Sequence, residues 1–259
     1  MKKYVNLFVF VFMVGTCFSQ GKAQTKSAVS YKNPVVDIAM PDPTVIKAAD
    51  GYFYVYATES TRNVPIMKSK NLVQWTYCNT AFTNKTRPRF EPKAGIWAPD
   101  INYINNKYVL YYAMSVWGGE QTCGIGVATA DSPQGPFTDH GKMFRSNEIG
   151  VQNSIDPSFL QYEGRNYLVW GSFRGIYVIE LTEDGLSLKP GAEKKRIAGT
   201  AFEAAYIHKH GDYYYMFASI GSCCRGVEST YKVVLRLRNQ PQQRDHLQAK
   251  TPDFRQAET

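Results

Sequence analysis

One stretch of this chain, DPTVIKAADGYFYVYATES at 42–60, returns with the same plan three more times. The further copies are APDINYINNKYVLYYAMS at 98–115, DPSFLQYEGRNYLVWGSF at 156–173 and FEAAYIHKHGDYYYMFAS at 202–219. Each copy is headed by an acid, then a short apolar run, a turn with Gly or Asn, and an aromatic-rich run ending in small residues. On this alignment Asp42, Asp100, Asp156 and Glu203 share one position, 58, 56 and 47 residues apart. Strand-like units repeating at roughly 40–50 residues are the signature of propeller blades. Blades arranged round an axis turn equivalent positions toward one channel. The repeat therefore predicts an all-β fold with four carboxylates gathered at a single mouth.

Between these heads the chain alternates apolar and polar residues in short runs broken by Gly, Pro, Asn and Asp, the pattern of strands and tight turns. No window shows sustained helical periodicity. The expected organisation is a leader at 1–23, a polar linker at 24–33, a partial β-propeller at 34–235 and a disordered tail at 236–259. The propeller comprises about three full blades and part of a fourth by its repeat spacing. After Arg236 the chain has one aromatic, Phe254, and no fifth acid-headed strand. The expectation is a propeller truncated at its C-terminus; the alternative is a four-bladed ring with a loose tail.

A net charge of +8 would suggest nucleic acid, but its distribution does not. Residues 1–23 and 232–259 carry most of the excess, leaving 21 basic and 19 acidic residues over 24–231. A body without a basic stripe excludes a nucleic-acid partner. Lys2 and Lys3 precede an apolar run at 5–14 and then small and polar residues, which is the plan of a secretory leader. That run is too short for a membrane span, and Cys17 stands in a poor lipoprotein context. The expected product is an exported monomer, periplasmic or secreted. Four cysteines then remain, and for Cys223-Cys224 both a vicinal disulfide and two thiols stay open.

Carboxyl groups facing one another across a cleft suit glycosidic hydrolysis. One, protonated, serves the leaving oxygen; another, ionised, activates water or attacks carbon. A nearby third carboxylate raises the acid's pKa by repulsion. A single Asp-Pro is usually only a turn residue; four acids in register weaken that reading.

The residues around these acids resemble glycoside hydrolase family 43, the five-bladed propeller arabinanases, arabinofuranosidases and xylosidases. The resemblance runs over about 33–232, through MPDPTVI, NSIDPSFL and FEAAYIHKHGDYYYMF. It is nearest to the endo-acting arabinanases, which share WAPDI (97–101), NSID (153–156), WGSF (170–173) and a CCxG-STY segment (223–226, 229–231). It implies Asp42 as general base, Glu203 as general acid and Asp156 as an ionised third acid that raises the pKa of Glu203. Asp100, which the family gives no acid–base role, reads as structural or as a subsite residue.

The implied reaction is inverting cleavage of α-1,5-L-arabinan, within plant cell-wall arabinan or arabinoxylan. The alternatives are an exo-acting α-L-arabinofuranosidase or β-xylosidase, and a non-catalytic sugar-binding propeller. The signatures of fructan- and sucrose-cleaving propellers are absent. Substrate contacts are expected at Trp97, Gly119, Asn153, Ser172 and Phe173; for Trp97, burial in the core is an equal alternative. No cofactor is expected for the chemistry and no metal ligand is assigned. The family's central calcium depends in part on a last-blade His that has no counterpart here. His208 and His210, without a Cys or acid at ligand spacing, read as structural. The chain is accordingly expected to be poorly stable and weakly active or inactive.

Overall fold

The computed structural model describes residues 30–239, so the leader, most of the linker and the tail beyond 239 lie outside the described residues. Four antiparallel sheets follow one another along the chain, each a meander of sequential strands. Blade 1 contains β1 (Thr44–Lys47), β2 (Phe53–Tyr56), β3 (Pro65–Ser69) and β4 (Thr76–Thr80). Blade 2 contains β5 (Gly95–Ile104), β6 (Lys107–Ser115), β7 (Gly124–Ala130) and β8 (Thr138–Arg145), and a single helical turn, α1 (Ser146–Ile149), follows it. Blade 3 contains β9 (Ser158–Tyr162), β10 (Arg165–Trp170), β11 (Ile176–Glu180) and β12 (Lys195–Ala198). Blade 4 has three strands, β13 (Glu203–His210), β14 (Tyr213–Ile220) and β15 (Lys232–Asn239). This is the all-β, partial propeller that the repeats imply.

Alternating side chains explain how the blades stack. In β6, Tyr108, Leu110, Tyr112 and Met114 enter the core shared with blade 1, while Val109 and Tyr111 enter the core shared with blade 3. A strand buried on both faces reads as a continuous apolar run, and KYVLYYAMS does. The same division holds in β10, where Leu168 and Trp170 face blade 2 and Tyr167 and Val169 face blade 4. In β14, Tyr214, Met216 and Ala218 pack against blade 3, whereas Phe217 on the opposite face is exposed. Val233, Leu235 and Leu237 of β15 share that outward face and are each more than half exposed.

β15 corrects the expected boundary at 235, because it runs to Asn239 in register with β14 (Tyr214↔Arg238, Met216↔Arg236). The residues 236–239 have weak strand character of their own. Pairing along the edge of β14 imposes it, as tertiary context commonly does.

The inner strands β1, β5 and β9 meet at Asp100, which is buried. Its carboxylate accepts the Phe159 N–H of blade 3 at 2.7 Å, the Asn102 amide at 2.7 Å and, more distantly, the Thr44 hydroxyl of blade 1 at 3.4 Å. One carboxyl thus joins three blades, which settles Asp100 as structural. Burial pushes its pKa from 3.8 up to about 6, against the pull of the three donors. The folded chain therefore holds this proton more tightly than the unfolded chain does. The resulting stabilisation is complete below about pH 4 and is lost as the pH rises through about 6.

Asp100→Asn keeps an acceptor for Phe159 and removes the titration. Urea unfolding should then show a flatter stability profile between about pH 4 and 6 than the parent's. Asp100→Ala leaves buried donors unmatched and should cost roughly 2–4 kcal/mol.

Candidate active site

Near the start of each inner strand stands a residue in the left-handed region: Asp42 (φ 48°), Ala98 (φ 40°), Asp156 (φ 57°) and Ala204 (φ 52°). In blades 2 and 4 the strand continues through it as a register shift, between Trp97 and Asp100 and between Glu203 and Tyr206. These positions define the true equivalence of the blades and correct the alignment of the acids. Ala98, followed by Pro99 as Asp42 is by Pro43 and Asp156 by Pro157, occupies the Asp42 position. Asp100 lies two residues further on, level with Thr44 and Ser158, and points into the blade junction. So three of the four aligned carboxyls converge, and the fourth does not.

The three that converge are held differently. Asp42 accepts the Thr58 hydroxyl at 2.5 Å. Glu203 Oε2 accepts the Ser172 hydroxyl at 2.7 Å, and the Tyr231 phenol also bonds to the Glu203 carboxyl. The Ala204 N–H, hydrogen-bonded to the Gly171 carbonyl at 3.3 Å, lies close enough to Asp156 to favour its charged form. Burial first, then the charges of Glu203 and of Asp42, push the Asp156 carboxyl well above the ordinary range, and the Ala204 donor only partly opposes this. The sequence assigned Asp156 the part of an ionised group acting on Glu203. Repulsion is reciprocal, however, and the most deeply embedded carboxyl meets the largest desolvation cost, so the upward pressure falls on Asp156 itself. Burial and the neighbouring Glu203 raise the Tyr231 phenol as well.

The expected substrate contacts fall beside this cluster. Asn153 (φ 56°) donates its amide to the Ser172 carbonyl at 3.1 Å, and its N–H bonds to the Glu120 carbonyl at 2.7 Å. Ser172 is buried and bridges to Glu203. Phe173 (φ 51°) is half-buried next to it, its N–H on the Phe202 carbonyl. The segment 146–156 is fixed from beneath: Ser154 N–H bonds to the Ser146 hydroxyl, and the Trp170 indole donates to the Ser154 hydroxyl.

Trp97 packs on Ala113, Cys123 and Ile155 with part of its ring open, so it combines the two readings the sequence left. Its neighbour Trp117, 80% exposed with ring centroids 5.6 Å apart, escaped the sequence reading because it lies outside the repeat. Gly119 follows in the same turn; a Cβ there would come within 2.8 Å of the Val116 side chain. Thr58 and the Arg174–Glu120 pair were also missed, the latter a two-pronged contact at 3.1 and 3.0 Å that joins the 116–123 and 171–175 loops.

Cys223 and Cys224 form a vicinal disulfide in the loop that leads to Tyr231. His208 and His210 stack along β13 with ring centroids 6.5 Å apart. Among the described residues no three His, Cys, Asp or Glu side chains are grouped to hold a metal ion. Nor, among them, is any helix long and apolar enough to cross a membrane. A groove of about 460 Å³ lined by His140, Lys142, Asp184 and Leu188 lies elsewhere and contains no member of the carboxyl cluster.

Comparison with known proteins places this arrangement in context. Residues 31–251 match the profile of Glycosyl hydrolases family 43. The extracellular endo-α-(1→5)-L-arabinanase 1 of Bacillus subtilis (strain 168) is 36% identical over 74% of this chain and 62% of its own length. The chain thus spans less than two thirds of that relative. Among solved structures, the Cellvibrio cellulosa α-L-arabinanase complexed with arabinohexaose superposes with a TM-score of 0.69 at 29% identity, over 78% of this chain and 71% of that one. An exo-1,5-α-L-arabinanase from a bovine ruminal metagenomic library gives 0.68 at 30% identity, over 81% and 74%.

The repulsion within the cluster has a measurable cost. Because the folded-state pKa of Asp156 is raised, its contribution to stability declines as pH rises above the unfolded value of 3.8. Asp156→Asn keeps the size of the side chain, removes its charge and tolerates the left-handed backbone. Its thermal midpoint should exceed the parent's, by more at pH 7 than at pH 4. An equal gain at both pH values would contradict the assignment.

Proposed function

The chain belongs to glycosyl hydrolase family 43, and from that membership we propose that it hydrolyses α-1,5-linked L-arabinan with inversion, cutting within the polymer. The observation that carries this reading is the convergence of Asp42, Asp156 and Glu203, close enough for the charges of two to act on the third. The linkage comes from the relatives, whose names specify 1,5-α-L-arabinan. Export comes from the leader pattern at 1–23 and from the extracellular relative.

In this mechanism Asp42 takes a proton from a water that attacks the anomeric carbon. The glycosidic C–O bond breaks as Glu203 delivers its proton to the departing oxygen. An inverting pair stands roughly 6.5–9.5 Å apart, leaving room for that water. The Thr58 hydroxyl donates to Asp42 and fixes the orientation of its carboxylate. Asp156 is crowded by Glu203 and Asp42, so the cluster retains a proton that isolated carboxyls would release, and it titrates as a unit. Trp97 and Trp117 offer aromatic faces to the sugar rings. Action from the chain end is a second reading, supported by the likeness to the ruminal exo-arabinanase.

The test is incubation with linear arabinan, xylan and aryl glycosides. Mixed arabino-oligosaccharides are expected from arabinan, with the inverted anomer first in the proton NMR spectrum. Glu203→Gln should lower the rate roughly 100- to 10,000-fold. A single short product would favour exo action; release from xylosides alone, or from nothing while the protein remains folded, would refute the arabinanase reading.

A further inference from the structure

Of the three carboxyls in the cluster, Asp42 is the most exposed and stands on a left-handed backbone at the edge of the structure, before β1 begins. A general base in that setting needs something to hold it. We propose that Thr58 is the positioning residue for Asp42, and that its hydroxyl proton is committed to the carboxylate by a backbone amide of the next blade. This inference rests on the base role proposed above for Asp42.

The commitment follows from counting hydrogens. A threonine hydroxyl has one proton to donate and lone pairs to accept with. The Ala98 N–H points at Thr58 Oγ1 from 2.7 Å and occupies the acceptor side. The single hydroxyl proton is left for Asp42 Oδ2, 2.5 Å away. The direction of this bond is thus set by blade 2, not by the free rotation of the side chain. A donor locked toward a carboxylate limits its rotation, which a base requires.

Thr58 is itself held on every side. Its N–H bonds to the Pro41 carbonyl at 2.9 Å, and the Ser60 hydroxyl bonds to the Ala39 carbonyl, so residues 58–60 grip the segment that carries Asp42. On the other flank, Glu59 N–H bonds to the Ile96 carbonyl at 3.1 Å, and the Ile96 N–H returns to Glu59 Oε1 at 2.9 Å. The Glu59 carboxylate, almost fully buried, is closed by a two-pronged bond to Arg87. Burial alone would raise its pKa, but Arg87 and the Asn63 and Ile96 amides bring it below the ordinary value. Arg87 in turn donates to the Ala94 carbonyl at 2.8 Å. The line Arg87–Glu59–Thr58–Asp42 therefore transfers the rigidity of the junction between blades 1 and 2 to an exposed carboxyl.

The test separates positioning from mere structure. With arabinan as substrate, Thr58→Val should lower kcat about 10- to 100-fold, the worth of one hydrogen bond to a charged group. KM should stay within about twofold, since the bond acts on the reacting step and not on uniform binding. Thr58→Ser, which keeps the hydroxyl, should recover to within about threefold of the parent, a residual smaller than one typical hydrogen bond. A Val variant with unchanged kcat, or a Ser variant as slow as Val, would overturn the proposal.

A measurement without catalysis separates this idea from the arabinanase reading. In the isotopically labelled chain, the Thr58 hydroxyl proton should exchange slowly with water, and Asp42→Ala should accelerate that exchange. Slow, Asp42-dependent exchange in a chain inactive on arabinan would keep the Thr58 assignment and remove the substrate. Fast exchange insensitive to Asp42 would remove the assignment even in an active enzyme.

Discussion

The packing of sheet against sheet governs the rest of this molecule. Each interior blade is apolar on both faces, and each face is buried against the next sheet in sequence, as Leu168 and Trp170 are on one side of β10 and Tyr167 and Val169 on the other. Burying such side chains at roughly 25 cal/mol per Å² of apolar surface is the main favourable contribution to the fold. It brings the heads of the inner strands together, where contacts such as those of Asp100 with Thr44 and Phe159 join them. The acids converge because the hydrophobic faces behind them leave no other arrangement.

Convergence is electrostatically unfavourable, and much of the local structure can be understood as compensation for it. Asp156 is embedded between two other carboxyls, and its pKa is displaced upward by burial and by both of them. Nearby donors offset part of that strain: Thr58 for Asp42 and Ser172 and Tyr231 for Glu203. Asp100 is the instructive contrast. It has the same residue type and nearly the same place in the repeat, but it faces three donors from three blades, where its hydrogen bonds serve cohesion. Chemistry and architecture thus use the same side chain two residues apart along the inner strand.

Much of this was legible in advance, because periodicity is a property of the chain itself. The strand pattern, the number of blades and the identities of Asp42, Asp156 and Glu203 all follow from the repeat and its motifs. The register of Asp100 did not follow, although a signal existed: the prolines at 43, 99 and 157 mark the equivalent positions and place Ala98, not Asp100, opposite Asp42. An alignment guided by the acids overrode an alignment guided by the backbone. Trp117 lies outside the repeat and Thr58 at the end of its first copy, and only the folding of the blades brings Trp117 against Trp97 and Thr58 between Asp42 and Ala98. The strand at 236–239 was invisible for a similar reason, since it borrows its conformation from β14.

By itself, then, the order of residues determined which segments are strands, how many sheets they make and which acids stand at their heads. These depend on local alternation, turn chemistry and spacing, all of which are written along the chain. Only the tertiary structure decided which acids repel one another, which donors hold them and which carboxyl is cemented into the junction of the blades. Those outcomes depend on distances between residues far apart in sequence, and such distances exist only once the sheets have packed.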